Sequence, residues 1–223
     1  MRLIKPSYKI LTEIDRPAML RRIEAAGRTC YKSEAKITED SATDFVRKII
    51  KSGHESVLEH VSISICFVVD RGVSHELVRH RLASFSQEST RYCDYRGDEV
   101  CFIIPPWVNI EEGQWTETVD QWPHELSNID QVWFFTMLHS ECRYNQLRIF
   151  GWTPQQARSV LPNSLKTEIV MTANLREWRH ILKLRCDKAA HPQMREIMIP
   201  LRDELIFRLP EVFVDVHKIE PIN

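Results

Sequence analysis

Two β-branched runs lying far apart in the chain set the limits on its architecture. VSISICFVVD (residues 61–70) and KTEIVMTA (166–173) bring apolar side chains to alternate positions, the period at which a strand turns one face to a core. Most other regular stretches have helical period. DRPAMLRRIEAAG (15–27) offers Asp15 as N-cap, Pro17 in the first turn and Gly27 as a stop. TEDSATDFVRKIIKS (38–52) sets Phe45, Val46, Ile49 and Ile50 on one face, with Gly53 as C-cap. VSHELVRHRLA (73–83) is predicted as a helix with Ser74 as N-cap and Glu76 in its first turn. Further helices are predicted over 130–150, from Thr153-Pro154 to near Pro162, over LREWRHILKLR behind an Asn174 cap, and over 192–208. Residues 97–130, with Pro105, Pro106, Gly113 and Pro123 and weak periodicity, read as a long excursion. Short strands among many helices, without a βαβ rhythm, predict an α+β fold in a single domain spanning 1–223.

Charge and cysteine usage narrow the function. The formal net charge is −1, which argues against a general polyanion binder, so no nucleic-acid partner is expected. No apolar run is long enough to span a membrane, and the first thirty residues hold no long apolar stretch, so the expected location is cytoplasmic. The six cysteines are scattered without a CxxC pair, which reads as free thiols in a reducing compartment and gives no metal site.

Against that near-neutral background, residues 79–91 read RHRLASFSQESTR. On a helix Arg79 and Arg81 would point about 200° apart, so they do not form one solvated stripe. Separated guanidiniums with Ser84, Ser86 and Ser89 between them suit phosphate oxygens, the arginine as a planar fork and the serine as a short donor. A second arginine group follows: Arg158, Arg176 and Arg185, with Arg179 reading as ordinary surface charge. HESVLEH (54–60) has histidines at both ends, but not at the i, i+4 spacing of a zinc-binding helix, so His60 reads as a capping or packing residue. There is no GxSxG to make Ser89 a nucleophile on an elbow, and none of the six glycines forms a phosphate loop. A solvated face, a nucleic-acid patch, a serine-dependent transferase and a pocket for small anions all remain open on these residues alone.

The spacing Arg79-His80-Arg81, seven residues, Ser89 is similar to the signature of the flavin-dependent thymidylate synthases. GHESVLEH (53–60), ARSVLP (157–162), TANLREWRHILKLR (172–185) and AAHPQMREI (189–197) resemble further segments of that family in the same order. The resemblance implies an α+β domain with a central, mostly antiparallel sheet and packed helices, assembling as a homotetramer with active sites where subunits meet. It implies reductive methylation of dUMP to dTMP, with 5,10-methylenetetrahydrofolate giving the carbon and FAD, reduced by NADPH, giving the hydride.

Carried over by position, the resemblance implies FAD contacts at Ser56, Arg79, His80, Arg81, Gln87, Asn174, Leu175, Arg176 and His180. It implies a dUMP site lined by Glu76, Leu77, Val78, Arg79, Gln87, Glu88, Ser89, Thr90, Arg91, Arg158 and Arg185. Arg185 matches the arginine that meets the uracil and favours ionisation of its N3, a catalytic role; His54 falls where the folate or flavin ring is approached. A guanidinium stays protonated at neutral pH, so it can stabilise such an anion, and flavin chemistry needs no activated thiol. Four positions depart from the common pattern: Glu76 where Gln is usual, Ser86 where Asn is usual, Gln87 where an acid is usual, and Thr90 where Gly is usual.

Overall fold

A computed structural model of the chain describes residues 1–96, 100–116 and 127–217. The elements run β1 (Arg2–Ile4), β2 (Ser7–Ile10), α1 (Arg16–Thr29), α2 (Ser41–Lys51), β3 (Ser62–Asp70), α3 (Arg71–Leu77), β4 (Ala83–Gln87), β5 (Cys101–Ile103) and β6 (Gly113–Gln114). Then follow α4 (Asn128–Ile149), α5 (Pro154–Ala157), β7 (Lys166–Asn174), α6 (Leu175–Arg185), α7 (Pro192–Arg208) and α8 (Pro210–Phe213). Single 3-10 turns cover Glu34–Lys36, Glu55–His60, Arg158–Val160 and Val214–His217. One sheet has the order β5-β1-β6 and the other β2-β3-β7-β4, a mixed α/β architecture that includes antiparallel pairing.

The two runs that suggested strands are β3 and β7. In β3 the side chains of Ile63, Ile65, Phe67 and Val69 have no exposed surface, and in β7 Thr167, Ile169, Met171 and Ala173 are buried while their neighbours are not. Two-residue periodicity thus translates directly into one buried face.

By packing the chain divides into two units, each built from several segments. The first comprises residues 1–7, 67–79 and 86–170. Its three-stranded sheet has β1 in the middle, parallel to β5 with Leu3 opposite Phe102, and antiparallel to β6 with Leu3 opposite Gly113. Leu3, Phe102, Phe134 and Tyr144 form one apolar cluster with Val100, Met137 and Leu165. Each fully buried Leu or Phe there contributes about 1.5–3 kcal/mol. β5 and β6 correct the reading of 97–130 as an excursion: its residues 100–116 supply two strands, and 128–130 begin α4, while 97–99 and 117–126 lie outside the described residues. Strands of three and two residues are too short to show a period.

The second unit comprises residues 8–66, 80–85 and 171–223 and is mainly helical. α1 packs on α2 and on the 3-10 turn Glu55–His60, α6 packs on that same turn and on α7, and α8 packs on α7 and α2. Asp15 caps α1 as expected, accepting the Ala18 N–H at 3.0 Å, but Gly27 does not stop it. The helix continues to Thr29, and Gly27 is needed for space: a Cβ there would meet Phe45 Cζ of α2 at 2.5 Å. Gly53 does serve as the C-terminal glycine of α2, with φ of 71°.

Candidate active site

The Arg-His-Arg triplet is not helical. Asp70 accepts the Val73 N–H at 2.8 Å, which starts α3 two residues before the predicted 73–83 helix, and α3 ends at Leu77. The predicted cap, Ser74, is instead inside the helix, its hydroxyl donating to the Arg71 carbonyl at 3.0 Å. Ala83 N–H then donates to the His80 carbonyl at 3.2 Å, and β4 begins. Arg79, His80 and Arg81 therefore lie in the tight connection between α3 and β4, where Arg79 and Arg81 are exposed and His80 is buried. The helical angle between the two arginines does not apply.

His80 is the centre of a polar cluster within the second unit. Arg185 Nε, at the end of α6, donates to His80 Nε2 at 2.9 Å. His80 Nδ1 lies 3.6 Å from Glu177 Oε1, and the His180 ring stands edge-on at 6.1 Å between centroids. Burial, reinforced by the positive charge of Arg185 and by His180, holds the His80 pKa down at about 4, so its ring is neutral at neutral pH. An arginine nitrogen can only donate; Nε2 is therefore the acceptor and the single ring proton sits on Nδ1, facing Glu177. Glu177 is a site residue that the sequence reading missed. Its signal was present: it lies three residues before His180 and three after the Asn174 cap, on one turn-spaced face of a helix.

His80, Glu177 and His180 also bring three ligand atoms within 4.8 Å of one another, a spacing at which a metal could be held. The Arg185 hydrogen bond opposes that use. It leaves the proton on the nitrogen facing Glu177, and a cation there would sit beside a guanidinium.

The remaining flavin candidates of this unit sit on α6 and the Glu55–His60 turn. Asn174 caps α6 as predicted, accepting the Glu177 N–H at 2.8 Å. Leu175 has no exposed surface, and its N–H donates to the Val61 carbonyl. Arg176 and His180 are exposed, and Arg176 Nη1 donates to Glu59 Oε1 at 2.6 Å. Arg179 is not surface charge. It is 1 % exposed and forms ion pairs with Glu55 at 2.8 Å and Asp215 at 2.6 Å, besides donating to the Val212 carbonyl. Partnered on three sides, a guanidinium can be buried where a lone charge could not. That anchor fixes Glu55 between His54, just before the turn, and Ser56, on it, both of them exposed.

In the first unit the candidates cluster around β4 and the loop after it. Gln87 Nε2 donates to Ser74 Oγ at 2.9 Å and to Thr167 Oγ1 at 3.2 Å. Glu88 is fully engaged by protein: it accepts from Tyr95 OH at 2.7 Å, Lys166 Nζ at 3.1 Å and Glu168 N–H at 3.2 Å. Burial and this hydrogen bond hold the Tyr95 pKa well above its ordinary value, so Tyr95 stays a donor. Arg148 pairs with Asp94 through two nitrogens, at 3.1 and 2.8 Å, and its hydrogen bond holds the Asp94 carboxyl well below the usual carboxylate range. Held at these two points, the loop presents Ser89, Thr90 and Arg91. Ser89 Oγ accepts the Arg91 N–H at 3.3 Å, and no base hydrogen-bonds it among the described residues. Thr90 is buried, its hydroxyl accepting from Arg158 Nη1 at 3.0 Å. Leu77 is core, Val78 and Arg79 are exposed, and Glu76 is half-buried.

Among the described residues no carboxylate forms an ion pair with Arg79, Arg81, Arg91 or Arg158, although Arg91 stacks on Tyr92. Such unmatched guanidiniums suit small anions and can hold phosphate groups without a glycine cradle. Within the second unit, exposed Arg81, Arg176 and His180 are donors of the kind that fits a dinucleotide such as FAD.

Residues 12–211 match the family model described as thymidylate synthase complementing protein. A flavin-dependent thymidylate synthase of Mycobacterium sp. (strain JLS) is 36% identical over 200 residues, covering 86% of this chain and 78% of the relative. The flavin-dependent thymidylate synthase of Mycolicibacterium gilvum (strain PYR-GCK) is 36% identical over 219 residues, covering 94% and 84%. Among solved structures, the UMP/dUMP methylase PolB of Streptomyces cacaoi bound with 5-Br dUMP superposes with a TM-score of 0.74 at 22% identity, covering 96% of each chain. The same protein bound with 5-Br UMP gives 0.72 at 20%, covering 96% of this chain and 95% of that one. At such identity these structures establish likeness of fold.

Proposed function

Since the chain belongs to the thymidylate synthase complementing protein family, whose members are the flavin-dependent thymidylate synthases, we propose that its residues carry out the reductive methylation of dUMP to dTMP. The chain is an enzyme that uses FAD, with NADPH as reductant and 5,10-methylenetetrahydrofolate as carbon donor. The observation that carries the reading is the Arg185–His80 hydrogen bond. It joins the RHR motif to the last arginine of LREWRHILKLR, two segments whose paired residues lie 105 positions apart in the chain.

Bound FAD supplies the hydride, and every other task falls to the chain. Arg79, Arg81, Arg176 and His180 hold the flavin's phosphates and ring edge, with Ser56, Gln87 and Asn174 adding hydrogen bonds and His54 near the ring. His80, buried and neutral, serves the flavin side by holding Arg185. Arg158, Ser89 and Arg91 take the dUMP phosphate, and Gln87, Thr90 and the 76–79 backbone with Glu76, Leu77 and Val78 line the nucleotide. Glu88 contributes by shaping that loop. Arg185 stabilises negative charge on the uracil ring, which raises its nucleophilicity without a thiol. The chain acts as one functional domain in a cytoplasmic homotetramer with sites at subunit junctions. Among the described residues no helix is long and apolar enough to cross a membrane.

The test is direct. Purified protein should show flavin absorbance and make dTMP from dUMP only when NADPH and methylenetetrahydrofolate are both supplied. Protein that neither binds FAD nor forms dTMP overturns the reading.

A further inference from the structure

We infer that Glu177 is a positioning residue of this site: it holds the Nδ1 proton of His80 and thereby fixes Nε2 as the acceptor that aims Arg185. The inference rests on the reading that Arg185 meets the uracil ring. Glu177 and Arg185 come from opposite ends of the same helix, Glu177 in the first turn of α6 and Arg185 as its last residue. His80 reaches in from the connection before β4 and offers one ring nitrogen to each. Glu177 and His80 are both shielded from solvent. Glu177 is 7 % exposed with its N–H held by Asn174, and His80 is 5 % exposed, so water does not compete freely for either side chain.

A neutral imidazole has two tautomers, and only one suits this setting. With the proton on Nδ1, the ring donates toward a carboxylate and accepts from a guanidinium. With the proton on Nε2, an N–H would confront the Arg185 Nε–H, donor against donor, and the guanidinium would be pushed from its place. At 3.6 Å the Glu177 contact is long for a hydrogen bond, yet its charge still favours the proton on the facing nitrogen. Arg185 therefore depends on a carboxylate it need not touch.

The experiment uses the FAD-loaded enzyme, Glu177→Gln and Glu177→Ala, with tautomers read from 15N-histidine NMR and the His80 signal assigned by its loss in His80→Gln. Wild type and Glu177→Gln, whose amide oxygen still accepts, should show His80 protonated at Nδ1, with kcat within about twofold of each other. Glu177→Ala should lose that tautomer and drop kcat about tenfold while keeping its flavin. A wild-type His80 protonated at Nε2, an Ala variant with unchanged tautomer and kcat, or a Gln variant as impaired as Ala would each overturn the proposal. If Glu177→Ala fails to fold, the wild-type tautomer and Glu177→Gln decide it. An unmodified enzyme that makes no dTMP would sink the functional reading instead, and the tautomer measurement would still stand as a test of this one.

Discussion

The ring of Phe45 lies over Gly27 so closely that a Cβ at Gly27 would come within 2.5 Å of Cζ and 2.7 Å of Cε1. Two helices, α1 and α2, are brought together at a point where one has no side chain. Gly27→Ala should gain about 1 kcal/mol of helix propensity and lose about 1–3 kcal/mol to overpacking, a net destabilisation. Urea denaturation should show it, and Phe45→Leu in the same chain should relieve part of it, giving a coupling term in the double-mutant cycle.

Arg185→Ala should remove turnover by at least about a hundredfold, the scale of losing a group that stabilises developing negative charge. Flavin content, read as the visible-to-ultraviolet absorbance ratio of the purified protein, should be retained. An Ala variant that turns over at the wild-type rate would refute the assigned role.

Thr90 occupies a position where the family usually has glycine, and here its hydroxyl accepts from Arg158 at 3.0 Å. Thr90→Val keeps the shape and removes the acceptor. The expected result is a dUMP KM raised about fivefold with kcat little changed, the effect of one lost hydrogen bond on the arginine proposed to hold the phosphate.

Arg179→Ala should destabilise the protein by about 3 kcal/mol, because it strands the Glu55 and Asp215 carboxylates. The urea midpoint should fall at an unchanged m-value.

His80 makes stability depend on pH. Its folded pKa is depressed to about 4, whereas the unfolded side chain titrates near 6.5. Between those values the unfolded chain binds the extra proton, so the stabilisation is complete above about pH 6.5 and is lost as pH falls toward 4. The loss is on the order of 2–3 kcal/mol. Denaturation curves at pH 7, 6, 5 and 4.5 should show it, and His80→Gln should flatten the slope in that window.

Long regular segments were legible in the sequence. β3, β7, α4, α6 and α7 stand where they were predicted, and the Asn174 and Asp15 caps hold as read. β1, β2, β5 and β6 were not legible, because strands of two to four residues carry no period. The start of α3 was misplaced because Asp70, at the end of a strand-like run, competes with Ser74 as a cap, and only the tertiary fold decides between them. The same error put the RHR motif on a helix. Arg179 was misread because its two carboxylate partners lie far away in sequence, and Glu177 was overlooked because its partner His80 does.

The helical unit draws on residues 8–66, 80–85 and 171–223. α2 packs against α8, and the Glu55–His60 turn packs against α6, so the apolar faces made early in synthesis find their partners only in the last quarter of the chain. On the ribosome, α1 and α2 must wait through the translation of more than a hundred intervening residues before α6 and α8 emerge. A nascent chain of this kind should therefore engage holding chaperones through its N-terminal third, and a truncation before α6 should be insoluble rather than partly active.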